Sequence, residues 1–182
     1  MQLSAATRRA ALTMHVVSSV GWLGAVLAFL GLAVAAVQST DPGTARSLYI
    51  AMEVLAVGVL VPLSVASLLS GLVQALGTAW GLFRHYWVLI KLMLTVVATA
   101  VLLAYVSTLR LFADAARSPS SADDLALLPS FSPVLHSVAA VAVLLAAAGL
   151  SIYKPRGVTP HGWRKQQQRR AAVLGPGGQA QG

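Results

Sequence analysis

The chain contains no cysteine and very few charged side chains. Of its 182 residues only 10% are charged and only five are acidic, whereas 57% are hydrophobic. The absence of cysteine excludes disulfide bonds, thiolate metal ligands and cysteine nucleophiles. A soluble domain carries about 25% charged residues, so a soluble surface of this composition would expose large apolar patches. The scarcity of charge therefore indicates a protein that lies in lipid.

Four long apolar segments account for this composition. Each reaches the length of about 20 residues that a helix needs to cross the bilayer core. Because a backbone in hydrocarbon must satisfy its own hydrogen bonds, each segment should be helical. We expect an all-α polytopic membrane protein whose domain, residues 14–153, is an antiparallel bundle of four transmembrane helices. The predicted helices span approximately residues 14–37, 48–76, 87–109 and 134–153.

The start of the chain has two interpretations. Arg8 and Arg9, the apolar run after them and the Ala33-Val34-Ala35 sequence imitate a signal peptide with its cleavage site. The apolar run is longer than the usual 7–15 residues of a signal peptide. We therefore favour a first helix that is retained.

Basic residues are distributed unevenly along the chain. The two connections that follow the first and third segments mix basic with acidic residues, whereas the other polar segments carry only basic ones. The positive-inside rule then places segment 1–13 and the tail 154–182 on the cytoplasmic side of the membrane. The excess of arginine over lysine and the abundant alanine suggest a GC-rich bacterial genome. We therefore expect a multi-pass protein of the bacterial plasma (inner) membrane. The basic residues on the predicted cytoplasmic side, apart from Lys91, are Arg8, Arg9, Arg84, Lys154, Arg156, Arg164, Lys165, Arg169 and Arg170.

The basic tail predicts contact with anionic lipid headgroups, each near-surface charge contributing about 1 kcal/mol. Its Gly/Gln-rich end, residues 175–182, is predicted to be disordered. A net charge of +8 is also typical of nucleic-acid-binding proteins, but no matching fold or motif accompanies it. We expect no nucleic-acid partner; a second copy of the chain or other membrane subunits are the protein partners we consider.

Proline and small residues mark the second segment. Pro62 lies in its interior, where it removes a backbone hydrogen bond and predicts a kink. Ser64, Ser67, Ser70 and Gly71 follow on closely related faces. Small residues at such spacing let membrane helices approach one another. In the long connection before the fourth segment, residues 123–128 predict a short amphipathic stretch on the outer surface.

A polar stripe lies near the start of the first segment. His15 is followed by two serines and Trp22 at helical spacings that place them on one face. Gly21 and Gly24 allow a neighbouring helix to approach closely. Ionisable residues within a membrane span are candidate functional residues, and a neutral imidazole here could ligate haem iron or another metal. The alternative is a histidine that hydrogen-bonds to a neighbouring helix.

Lys91 lies about four residues into the third segment, and Thr95 and Thr99 continue its face. A lysine near the end of a span usually extends toward the membrane surface, and we favour this interpretation. The alternative is a buried cation near His15 that holds a carboxylate substrate or a haem propionate. The predicted topology allows this meeting because it places both residues near the cytoplasmic face.

Glu53 and His136 are the other ionisable residues within the predicted spans, and both lie toward the outer side. They could pair or join a proton relay; the interpretation we favour is that each reaches water at the interface. If His15 and His136 lie at opposite faces, tens of ångströms apart at about 1.5 Å per residue, they cannot share one metal ion.

Several motifs resemble one bacterial family. They are HVVSSVGWLG at residues 15–24, LVPL at 60–63 with SGL at 70–72, GTAWGLFRHYWVLIK at 77–91 and YKPRGVT at 153–159. The chain resembles an uncharacterised family of predicted four-helix integral membrane proteins, a domain of unknown function that is distantly similar to the copper-resistance D family. The resemblance implies the four-helix membrane architecture and adds little mechanism. With no cysteine and only four methionines, the chain lacks soft ligands for a copper relay.

A more distant resemblance is to the haem-containing membrane protoporphyrinogen oxidases. That family has a histidine near the start of its first helix, followed by a tryptophan and glycines, and a tryptophan followed by Lys-Leu in its third helix. The resemblance implies haem as a cofactor, with His15 and Lys91 at the site. The family's further basic and histidine positions after the first helix have no counterpart at residues 35–38. The positions that match are His15, Trp22, Gly24, Trp87, Lys91 and Leu92.

Three functions remain open at this stage. The leading one is a non-enzymatic accessory or small-ligand-binding membrane protein, favoured by packed faces of small residues with no cavity between them. The second is a haem- or metal-binding redox protein that uses His15, favoured by a buried His15–Lys91 pair beside an open pocket. The third is a small transporter that uses Glu53, Lys91 and His136, favoured by a continuous polar cavity.

Overall fold

A backbone in hydrocarbon must pair its own polar groups, which a helix does within one segment. The computed structural model accordingly consists of helices joined by short connections in the part of the chain that it describes. It describes residues 4–77, 86–117, 128, 130–153, 163, 164 and 167, and these contain no strand. A π-helical turn, Ala56–Leu60, lies between the second and third α-helices of the chain. The helices are α1 (Ala5–Gln38), α2 (Pro42–Leu55), α3 (Val61–Gly77), α4 (Tyr86–Arg117) and α5 (Ser132–Tyr153).

Four stretches of helix are long and apolar enough to cross a membrane. Their best windows have a mean hydropathy of 2.1 to 2.3, and many of their valine and leucine side chains face outward without a protein partner. The all-helical fold with four candidate spans is therefore confirmed. The spans are Ala5–Gln38, Pro42–Leu76, Tyr86–Arg117 and Ser132–Tyr153.

The helices extend beyond the apolar segments because local capping, not hydropathy, sets their ends. α1 begins at Ala5, where the Ser4 hydroxyl accepts a hydrogen bond from the Thr7 amide. α2 begins at Pro42, and the exposed Asp41 carboxylate accepts from the Thr44 amide at 2.8 Å. Hydrogen bonds from the Thr44 hydroxyl and amide lower the pKa of Asp41. α4 continues to Arg117 instead of ending near residue 109.

Pro62 coincides with a change of helix type. The π-helical turn ends just before it, and the Val61 amide donates to the carbonyl of Ala56, five residues back. A proline ring clashes with the carbonyl four residues earlier, here that of Gly58, and supplies no amide proton. A single wide turn is a local adjustment that such a break in the ladder produces. The predicted interruption therefore takes the form of a π turn.

The core lies between the four candidate spans, which we call rods; α2, the π turn and α3 together form the second rod. The rod made of α2, the π turn and α3 packs against both α1 and α4, and α5 also packs against both α1 and α4. α1 and α4 thus face each other across the middle of the bundle. Bulky side chains alternate there with alanines that let the helices approach: Trp22, Val26, Phe29, Ala33, Ala36, Met52, Ala56, Leu60 and Leu109 are all buried.

The amphipathic stretch predicted at residues 123–128 falls almost wholly outside the described residues. Most of the basic tail, residues 154–182, lies outside them as well.

Candidate functional site

His15 projects from α1 into a niche formed by α3 and α4. Its Nδ1 lies 3.0 Å from the carbonyl oxygen of Ser67, and its Nε2 lies 3.2 Å from Nζ of Lys91. Gly71 makes room for the ring, because a Cβ at that position would stand 3.0 Å from the imidazole Cε1. The small residues of α3 therefore provide the close approach that the ring needs.

The hydrogen-bond partners fix the tautomer of His15. A carbonyl oxygen can only accept, so Nδ1 carries the proton that it donates to Ser67. Nε2 then bears the lone pair and accepts from the Lys91 side chain. The Ser70 hydroxyl lies 3.3 Å from Nδ1 and donates to the carbonyl of Ala66. Both ring nitrogens are consequently engaged by protein groups.

Lys91 turns into the bundle, which contradicts the prediction that it extends to the membrane surface. Its side chain is half-buried, and its Nζ reaches across from α4 to the imidazole on α1. The meeting of His15 and Lys91 that the topology allowed is therefore present. Nε2 of His15 is the acceptor that holds Lys91 inward. It is unprotonated because the ring's proton lies on Nδ1, which donates to the Ser67 carbonyl.

Glu53 and His136 do not pair, so the alternative in which these two residues bond to each other does not apply. Glu53 forms an ion pair with Arg117, which also bonds Asp114 at 2.9 Å. Because α4 is longer than predicted, it carries Arg117 to the level of Glu53. A guanidinium offers a carboxylate a charged partner with several donors, and it takes the position that the pairing alternative gave to His136.

His136 instead bonds its own helix and packs on an aromatic ring. Its Nδ1 lies 2.9 Å from the carbonyl oxygen of Ser132, so Nδ1 is the protonated nitrogen and Nε2 carries the lone pair. The imidazole stacks on Tyr105 with ring centroids 3.9 Å apart and planes 15° apart. The Tyr105 hydroxyl shares a hydrogen bond of 2.9 Å with the Ser132 hydroxyl.

A cavity of about 170 Å³ lies in the middle of the bundle. Its walls come mainly from α1, α4 and α5, and Trp22 closes one side. The walls are apolar except at Tyr105, His136 and Ser137. Neither His15 nor Lys91 lines it. The candidate residues thus divide into two sets, the His15–Lys91 pair and a cavity that includes Trp22 and His136.

The sequence reasoning missed Tyr105 and the cavity. A hydroxyl-bearing ring in the middle of an apolar segment was the available signal for Tyr105, but nothing in a single sequence marks a void. Thr99 is also informative, since its oxygen is the one buried side-chain polar atom without a hydrogen-bond partner in the described part of the chain. No three histidine, aspartate or glutamate side chains among the described residues come together as a metal site.

Comparison with known proteins gave no match to any family model, curated protein or solved structure. The function is therefore argued from the geometry of the site.

The fit between Gly71 and His15 can be tested with a matched pair of substitutions. Gly31→Ala meets no atom within 4 Å, so it should stabilise α1 by about 0.5–1 kcal/mol through helix propensity. Gly71→Ala should give no such gain, because the new methyl group displaces a ring that is held at both nitrogens. Unfolding of the two variants in detergent measures the difference. Equal stabilisation by both would show that the ring is not confined.

Proposed function

We propose that this chain is a multi-pass protein of the bacterial plasma (inner) membrane that binds a small, largely apolar molecule within its helical bundle and is not an enzyme. One observation carries the proposal, and it departs from the cavity-free packing expected from the sequence: a cavity of about 170 Å³ between α1, α4 and α5 with almost wholly apolar walls. Apolar cavities of about 150 Å³ stay dry and bind molecules of the size of benzene. A ligand that partitions into the bilayer has direct access to such a site.

The polar groups in the cavity wall favour a ligand with one hydrogen-bond donor. His136 uses its Nδ1 proton on the Ser132 carbonyl, so its Nε2 is an acceptor. The Ser137 hydroxyl donates its proton to the carbonyl of Pro133 at 2.7 Å. The wall therefore offers lone pairs, and a ligand hydroxyl would satisfy one of them. An apolar body with a single hydroxyl is the ligand class that this wall supports best.

The two alternative functions have weaker support. The His15–Lys91 pair meets one condition for haem binding, but neither residue lines the cavity described above, and iron at His15 would have to displace Lys91 from Nε2. A transporter would need a continuous polar path. The cavity that contains His136 instead has almost wholly apolar walls.

The proposed topology is an antiparallel bundle with both termini in the cytoplasm. Contacts between α1 and α3 support the arrangement, since Gln74 bonds the carbonyl of Ala11 and Leu63 packs against Gly21. Residues early in one helix thus meet residues late in the other. The basic residues near both termini support the orientation. The resemblances to the four-helix family and to the haem-containing oxidases stay predictions.

Ligand binding is tested with a pair of probes that differ in one group, 4-fluorotoluene and 4-fluorophenol, followed by fluorine NMR in nanodiscs. Both should bind at a single saturable site. His136→Leu should weaken fluorophenol about tenfold, because its hydroxyl loses an acceptor in an apolar site, and should leave fluorotoluene unchanged. Ala140→Phe fills the cavity wall and should abolish binding of both.

The matched control is Ala146→Phe, which adds the same ring to an exposed position of α5. It should bind both probes as the native chain does. Absence of saturable binding, or binding that survives Ala140→Phe, would show that the cavity holds no ligand.

Haem binding is tested by the absorption spectrum of protein purified from haem-replete cells. We expect no Soret band, because both nitrogens of His15 have protein partners. A stoichiometric Soret band that disappears in His15→Ala would instead establish the haem-binding alternative.

The orientation is tested with a reporter enzyme that is active only in the cytoplasm. Fused after Gly182, it should be active because the basic tail should remain inside. Fused instead within the connection that follows Arg117, it should be inactive. Activity in the reverse pattern would invert the proposed topology.

A further inference from the structure

Lys91 is a half-buried cation, and no side-chain carboxylate in the described part of the chain pairs with it. The sequence has five acidic residues, and the three that the structure describes lie toward the opposite end of the helices. Asp114 is 23 positions further along α4, about 35 Å away at 1.5 Å per residue. We call the end of the bundle at which His15 and Lys91 lie the His15 end. No acidic residue occurs in the three sequence segments next to it, which are residues 1–13, 78–85 and 154–182. The acidic residues are Asp41, Glu53, Asp114, Asp123 and Asp124.

The contacts of Lys91 leave part of its ammonium group available. One N–H is donated to His15 Nε2, and within the described residues no other hydrogen bond or ion pair engages its Nζ. An ammonium group that is taken out of water without a counter-ion is costly. A neutral imidazole satisfies one donor but supplies no negative charge. The geometry therefore calls for an anion beside Nζ.

A second cation lies on the approach to this position. Arg8 precedes His15 by seven positions, two turns along α1, so the two side chains share a face about 10 Å apart. Arg8 is exposed, and no described carboxylate pairs with it. Arg8 and Lys91 thus mark an outer and an inner position of positive charge at the same end of the bundle.

We propose that this end of the bundle binds a phosphate group, with Lys91 as the inner contact and Arg8 as the outer one. Lysine binds phosphate as a compact charge with several N–H donors. Lys91 lies five residues from the start of α4, a depth of about 7 Å, which lipid phosphates at the membrane surface can approach. A phospholipid headgroup and a soluble phosphate share this chemistry. The phosphate site is separate from the cavity, so a test of one does not decide the other.

The test compares the thermal stability of the full-length protein in detergent after addition of phosphatidylglycerol, phosphatidylcholine or inorganic phosphate. Phosphatidylglycerol should raise the melting temperature of the native chain in a saturable manner. Lys91→Met should weaken the apparent affinity about tenfold or more, as expected for loss of a charged hydrogen bond, whereas Lys91→Arg should retain it. The matched control is Arg110→Gln, which removes an exposed cation at the far end of the same helix.

The outcomes separate the two sources of phosphate. A shift produced by phosphatidylglycerol alone assigns the site to lipid headgroups, and an equal shift with inorganic phosphate assigns it to soluble phosphates. An unchanged shift in Lys91→Met, or an equal loss in Arg110→Gln, would overturn the proposal. Phosphorus NMR of the native chain provides a second measurement that needs no variant: the resonance should show saturable binding of one phosphate per chain, and its absence would also overturn the site.

Discussion

The hydrogen bond from His15 Nδ1 to the carbonyl oxygen of Ser67 determines how the polar interior is arranged. It holds the ring of α1 against α3, and it is possible only because Gly71 leaves space for the imidazole. By taking the Nδ1 proton, the carbonyl leaves Nε2 as an acceptor, and this acceptor draws Lys91 inward from α4. Three of the four rods are thereby joined by one neutral side chain. In apolar surroundings these hydrogen bonds have few competing partners. A small change in the distance between the helices would therefore break a bond that no other group could replace.

The interior divides into two polar ends and an apolar middle. One end contains the neutral His15 and the cation of Lys91, with basic residues but no acidic ones in the adjoining sequence. At the other end Glu53 and Arg117 neutralise each other, and the Tyr49 hydroxyl accepts from the Ser130 amide at 2.7 Å. The cavity separates these ends. Charge is therefore compensated within the chain at one end and open to an external anion at the other.

The sequence predicts the spans well because burial in lipid depends on mean hydropathy over many residues. The helix ends were predicted less well, since Ser4 and Asp41 act through single hydrogen bonds that hydropathy does not register. The error at Arg117 had a further consequence, because placing it in a connection left Glu53 without its partner. The direction of Lys91 depends on which nitrogen of His15 is free to accept. The cavity forms because the side chains of three helices do not fill the space between them. Neither the direction of Lys91 nor the cavity can be predicted from one segment of sequence alone.

The π turn at Ala56–Leu60 sets the angular phase of everything that follows it in the second rod. Each residue of an α-helix advances the chain by about 100°, so one residue inserted into α3 just after this turn, and taken up as α-helix, would rotate the rest of α3 by that amount relative to α2. Hydropathy would be unchanged, and the span would still suit the membrane. Ser67 and Gly71 would nevertheless no longer face His15, whereas Tyr49 and Met52 in α2 would keep their positions. Insertion into the bilayer and assembly of the polar interior are thus separable properties of this chain, and a change in length at this turn would uncouple them.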